Sequence, residues 1–183
     1  MADISGTYQL GPDSGRVVIK TGRAGLAARA GHDLTIEVTR WSARVSVPAD
    51  GGAGAAEITA ELDLGSLAVR EGTGGAKPLS DKDRRDILDQ ARKILGGGTA
   101  AFASTRVIPG PFAGGAIEGT VSLNGRSQPV RLQVTGSGPY RGSATVKQTD
   151  FGITPYSGFF GALKLRDEVG IEFEVDLERA ARS

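Results

Sequence analysis

The stretch Ile171-Glu172-Phe173-Glu174-Val175-Asp176-Leu177-Glu178 alternates without a break, apolar at each odd position and acidic at each even one. Side chains on a β-strand point by turns to opposite faces, so this segment reads as a strand with one face buried and the other in water. The same period recurs along the chain. Val17 and Ile19 fall in step within Gly15 to Thr21, followed by Leu34, Ile36 and Val38, then Val45 and Val47. Ile58, Ala60, Leu62 and Leu64 oppose Glu57, Thr59, Glu61 and Asp63. Ile117, Gly119, Val121 and Leu123 oppose Glu118, Thr120 and Ser122, and Val130, Leu132 and Val134 oppose Arg131 and Gln133. Turn residues separate the runs: Gly51-Gly52-Ala53-Gly54, Asn124-Gly125 and Ser137-Gly138-Pro139. Asn-Gly is the strongest short hairpin signal, because both residues tolerate the positive φ of a type I′ turn. Antiparallel neighbours are therefore expected throughout.

One segment changes period. Ile87, Leu88, Ala91, Ile94 and Leu95 form an apolar stripe at helical spacing. Ser80 stands at the N-cap position with Asp83 three residues on, a shortened capping box. Gly96 stands where a left-handed C-terminal residue is expected. This predicts an amphipathic helix over Asp81–Leu95, laid against the sheet. A second, short helix is expected over Ala24–Ala30, weakened by Gly25 and Gly31. Many strands and one sizeable helix imply a sandwich or a closed barrel.

The 183 residues, 39% hydrophobic and 23% charged, suit a single domain spanning the whole chain, 1–183. A net charge of +1 gives no ground for a nucleic-acid partner. Arg84-Arg85 and Arg92-Lys93 are interleaved with Asp81, Asp83, Asp86 and Asp89, which reads as a solvated helix face. There are no cysteines, which removes disulfides, thiolate nucleophiles and cysteine-based metal sites. No run reaches the ~18 apolar residues of a membrane span. The amino-terminal Met-Ala-Asp-Ile-Ser-Gly has neither a basic nor an apolar leader region, so a cytoplasmic location is expected.

Catalytic constellations are missing. No G-x-S-x-G or P-loop occurs. Gly52-Ala53-Gly54-Ala55-Ala56-Glu57 lacks the third glycine of a dinucleotide loop and leads into a strand. His32 is the single histidine, beside Asp33, with no further metal-ligand partners in sequence. It reads as a strand-start histidine bonded to backbone, or as a contact for a ligand's polar end. Asp150-Phe151-Gly152 matches a kinase tripeptide by letters alone. The expectation is a non-enzymatic protein with no catalytic residues, metal or cofactor.

Aromatic placement stands out instead. Four of ten aromatics, Phe151, Tyr156, Phe159 and Phe160, fall within ten residues of a Gly- and Pro-containing loop. A loop this apolar must cover something apolar, as a plug on a barrel end or as the mouth of a pocket.

The order of several motifs resembles the YceI-like, polyisoprenoid-binding family. They are Tyr8-Gln9-Leu10-Gly11-Pro12-Asp13-Ser14-Gly15, Ala30-Gly31-His32-Asp33-Leu34, Lys77-Pro78-Leu79-Ser80-Asp81-Lys82-Asp83-Arg84, Ala101 to Val107, Ile117 to Gly125, and Asp150-Phe151-Gly152-Ile153. The likeness runs from about Gly6 to Leu177. It implies an antiparallel eight-stranded lipocalin-like barrel with one helix beside it, holding a long isoprenoid or lipid-like chain, and a possible homodimer. The candidate ligand contacts are then the inward residues Leu34, Ile36, Leu62, Phe102, Ile117, Val121, Leu132 and Phe173, with His32 and the loop residues Phe151, Phe159 and Phe160. Small residues at Ala60, Ala101, Ala103 and Gly119 would leave room, with the inward face of Ala100–Ile108 open to either register. One departure is Gln148, where the family often has Arg. The alternative is a barrel filled by its own side chains, serving as a stress-response or protein-interaction module.

Overall fold

The computed structural model describes residues 4–182; Met1 to Asp3, which head the stretch without leader features, and Ser183 lie outside the described residues. In chain order the strands are β1 (Gly6–Leu10), β2 (Gly15–Thr21), β3 (Arg23–Ala24), β4 (Asp33–Val38), β5 (Trp41–Val47), β6 (Glu57–Asp63) and β7 (Leu67–Thr73). Helix α1 (Asp81–Leu95) follows. Then come β8 (Thr99–Pro109), β9 (Gly114–Leu123), β10 (Arg126–Thr135), β11 (Tyr140–Lys147), β12 (Ser157–Gly158), β13 (Leu163–Leu165), β14 (Glu168–Val175) and β15 (Ala181–Arg182).

Twelve of these segments pair in the order β15-β1-β5-β6-β8-β9-β10-β11-β14-β2-β4-β7. Every pairing is antiparallel. The sheet is two six-stranded halves. They join on one side where β9 and β10 pair along their length through Asn124-Gly125, both at positive φ, as the hairpin signal predicts. They join on the other side because four runs bend and continue from one half into the other: β1 into β2, β4 into β5, β6 into β7 and β14 into β15. The same two runs stay partners across the bend, with Leu10 opposite Ala43 on one side and Val18 opposite Glu37 on the other. Counted as runs, the twelve segments are the eight expected strands, in sequential order and closed through the bends. The difference in count comes from the bends, which alternation does not register.

Two buried serines pin those bends. Ser14 Oγ accepts from Gly11 N–H at 3.0 Å, and Ser14 O accepts from Asp176 N–H at 2.8 Å. Ser66 Oγ accepts from Arg40 N–H at 2.8 Å and donates to Asp63 O at 2.7 Å. The Asp63 carboxyl is held below its ordinary range, first by the hydrogen bond from Arg40 and then by that from Gly65 N–H. Beside the bends, Leu10, Val17, Val38 and Trp41 form the main packed cluster. Full burial of each aliphatic side chain contributes about 1.5–3 kcal/mol.

The helix forms over the predicted residues. Ser80 accepts from Asp83 N–H while the Asp83 carboxylate accepts from Ser80 N–H, and Gly96 sits at φ 67. The expected helix over Ala24–Ala30 does not form. Arg23–Ala24 pairs with Leu163–Leu165 in a small three-stranded sheet with β12, and only Ala28–Ala30 makes a single 3₁₀ turn. Gly25, at φ +91 and against Ala162 O, breaks the segment. Strand β14 ends at Val175, three residues before the alternation does. The chain then turns in a 3₁₀ segment that delivers Leu177 to the packed cluster. No described helix is long and apolar enough to cross a membrane.

Replacing Ser66, a buried residue, by Ala takes away the side-chain acceptor of the Arg40 N–H at the bend. We expect Ser66→Ala to cost about 1–3 kcal/mol, read as a lower midpoint in urea denaturation with the slope unchanged.

Candidate functional site

The inward positions of the sheet surround a cavity of about 1680 Å³. Its existence follows from how the large inward side chains lie. Phe102 lies against Gly119, where an added Cβ would come within 2.5 Å of the ring. Phe173 lies in the same way over Gly142, its register partner. Both rings rest on bare backbone of the neighbouring strand rather than crossing the lumen. Phe102 pairs with Ala60, which puts Phe102 on the inner face of β8 and Ala103 on the other.

Leu34, Ile36, Leu62, Phe102, Ile117, Val121, Leu132 and Phe173 all line this space. Leu34 and Ile36 also pack with Val69 and with Leu79, Ile87 and Leu88 under α1. No residue of α1 is fully buried, because Ile87, Ile94 and Leu95 face the lumen rather than a filled core.

The aromatic loop divides. Its first part folds inward: Gln148–Phe151 makes a 3₁₀ turn closed by Gly152 at φ 72, and Phe151 and Ile153 are buried against the cavity. Tyr156 also reaches the wall. Phe159 and Phe160 do not. Both point into solvent, outside the lining. The reason is backbone geometry, since φ of 49 and 54 at these two residues turns the tip of the loop away from the barrel.

Polar groups gather at the α1 end. His32 lines the rim with Nε2 bonded to Lys77 O at 2.7 Å, the strand-start arrangement expected from sequence. Arg23 donates to Gly31 O at 2.6 Å and lies 3.7 Å from Asp33. Gln148 donates to Arg166 O at 2.9 Å, so it spends its amide N–H on the loop. Thr21 lines the same end, and its Oγ1 is buried without a hydrogen-bond partner among the described residues. Sequence reading passed over Thr21, although it continues the inward series Val17, Ile19. It also passed over Trp41 and Tyr140, which line the cavity from segments where alternation is weak. Burial raises the Tyr140 hydroxyl above its ordinary range.

A meander of eight antiparallel runs around an apolar lumen is the architecture of lipocalin-like binding proteins. The model of the YceI-like domain matches residues 8–177, and the chain belongs to the YceI-like family, a family of binding proteins. Among solved structures it is similar to BcnA of Burkholderia cenocepacia, at 18% identity and TM-score 0.60, over 88% of this chain and 94% of that one. It is also similar to the YCEI protein of Campylobacter jejuni, at 13% identity and TM-score 0.55, over 81% and 84% of the two chains. A mutant of the latter, at 13% identity and TM-score 0.54 over 81% and 84%, was solved with a monobromobimane guest. At these identities the likeness is one of fold. No curated protein matches the chain.

Two outcomes follow. Thr21→Val removes a buried unpaired hydroxyl while keeping the shape, so folding stability should hold or rise by up to about 1 kcal/mol in urea titration. The Asp83 carboxyl lies below its ordinary 3.8, first through its hydrogen bonds with Ser80. A lowered folded pKa stabilises the charged state above the unfolded value and loses that contribution as pH falls through the folded value. Thermal melts of the parent chain and Asp83→Asn should therefore differ at neutral pH and converge below pH 3.8.

Proposed function

We propose that this chain is a non-enzymatic binding protein for a long apolar ligand, isoprenoid or lipid-like, carried inside the barrel. The observation that supports it is the cavity itself. Its 1680 Å³ exceeds the roughly 300–1,000 Å³ of pockets for drug-sized ligands, and its walls are aliphatic and aromatic. A compact headgroup would leave most of that volume empty, whereas an extended chain would fill it. Each buried methylene contributes about 0.8 kcal/mol, so ten of them exceed any single polar contact at the rim. Selectivity then comes from chain length and girth, with His32 and Thr21 near one end to meet a polar terminus. Such a volume also weighs against the alternative of a barrel filled by its own side chains.

Native mass spectrometry of the purified chain should show co-purified lipid, or uptake of polyprenyl alcohols after delipidation. Neither being seen would sink the proposal. Ala60 and Ala144 face the lumen from opposite halves. Ala60→Phe with Ala144→Phe should weaken uptake of long chains by about tenfold or more, with a melting temperature unchanged or raised because the rings occupy empty space.

A further inference from the structure

We propose that two adjoining loops at the α1 end of the barrel form a membrane-docking tip that inserts Leu26, Phe159 and Phe160 into the surface of an anionic lipid bilayer. Leu26 follows β3, and the two phenylalanines lie between β12 and β13. The small sheet fastens the loops together: Ala24 pairs with Lys164, and Ala27 N–H donates to Ala162 O at 2.8 Å. Gly25 is required at this joint. Its φ is +91, and a Cβ there would lie 2.3 Å from Ala162 O. The tips are thus a fixed pair.

Leu26 and Phe160 are fully exposed and Phe159 is 67% exposed, so three of the four exposed large hydrophobics among the described residues sit on this one tip. Water alone gives no reason for that arrangement. Bulky residues at positive φ are held in a costly backbone region, and both phenylalanines are. The strain turns the rings outward, away from a lumen that would bury them.

Charge selects the partner. Gly22–His32 and Ile153–Arg166 carry four of the chain's 22 basic residues, Arg23, Arg29, Lys164 and Arg166, and none of its 21 acidic ones. The flanking acids are engaged, Asp33 with Arg23 and Asp167 with Thr149. On α1, Asp83 is bonded within the cap, Asp86 to Lys82 and Asp89 to Arg92. Arg29 and Lys164 have no ion-pair partner among the described residues, and both are exposed. An apolar tip inside a cationic collar matches an anionic headgroup layer over acyl chains. A protein groove would not explain the missing acids. Phe112, exposed at the other end of the barrel, stands alone. The bases of both loops, at Ala30, Leu163 and Tyr156, are cavity wall, so the tip leads directly to the lumen.

The test is co-sedimentation of the full chain with vesicles of phosphatidylcholine, with and without phosphatidylserine. Binding should appear with phosphatidylserine, weaken about tenfold or more without it, and fall with added salt. It should be lost in Phe159→Ser/Phe160→Ser and reduced in Arg29→Gln/Lys164→Gln, with circular dichroism and melting unchanged. In Phe160→Trp, tryptophan emission should shift to the blue on mixed vesicles. No vesicle binding, binding indifferent to these substitutions, or a patch that instead mediates self-association in size-exclusion chromatography would overturn the inference. The Phe159→Ser/Phe160→Ser variant should still take up polyprenyl alcohol from vesicle-free solution. That measurement separates a failure of docking from a failure of ligand binding.

Discussion

The four bends, and the two serines that satisfy them, are the constraint on which the rest depends. A sheet of this size has two edges, and open edges invite pairing with other chains. Here the runs β1–β2, β4–β5, β6–β7 and β14–β15 each cross from one half to the other, so their continuity closes what hydrogen bonding alone would leave open. A bend takes backbone groups out of the ladder, and buried groups without partners are costly. Ser14 and Ser66 supply those partners from side chains short enough to fold back on their own turns.

Closure creates an interior, and an eight-stranded interior can be filled or left open. The inward aromatics decide which. Had Gly119 and Gly142 carried side chains, the Phe102 and Phe173 rings would have been pushed off the wall and into the lumen. With glycine beneath them they lie flat, and the volume remains. Helix α1 faces the same space rather than a packed core, which explains why its apolar stripe is regular and yet none of it is fully buried. Surface charges contribute little to this: pairs such as Arg141–Glu174 and Arg131–Glu118 are exposed cross-strand contacts of small individual worth.

The loop between β11 and β14 combines two environments within a few residues. Phe151 and Ile153 are drawn inward by the 3₁₀ turn and the left-handed Gly152, while Phe159 and Phe160 are turned outward by left-handed φ values of their own. A cluster of aromatics in sequence is therefore not a cluster in space, and the choice between plug and mouth is resolved differently for its two ends.

Strand identity, the helix with both its caps and the Asn124-Gly125 hairpin were legible in the chain, because each rests on local periodicity or turn chemistry that needs no distant partner. The inward set from Leu34 to Phe173 was legible for the same reason: period two assigns faces without knowing the neighbour. Weakly patterned segments such as Tyr140–Lys147, whose inward residues include Gly142 and Ala144, were not, since small residues carry little hydrophobic signal. Four things needed the tertiary structure: the bends that turn twelve segments into eight runs, the orphaned Thr21 hydroxyl, the rings lying over distant glycines, and the outward turn of Phe159 and Phe160. Each is set by contacts or backbone angles between residues far apart in the chain, or by a local φ that no side-chain type announces.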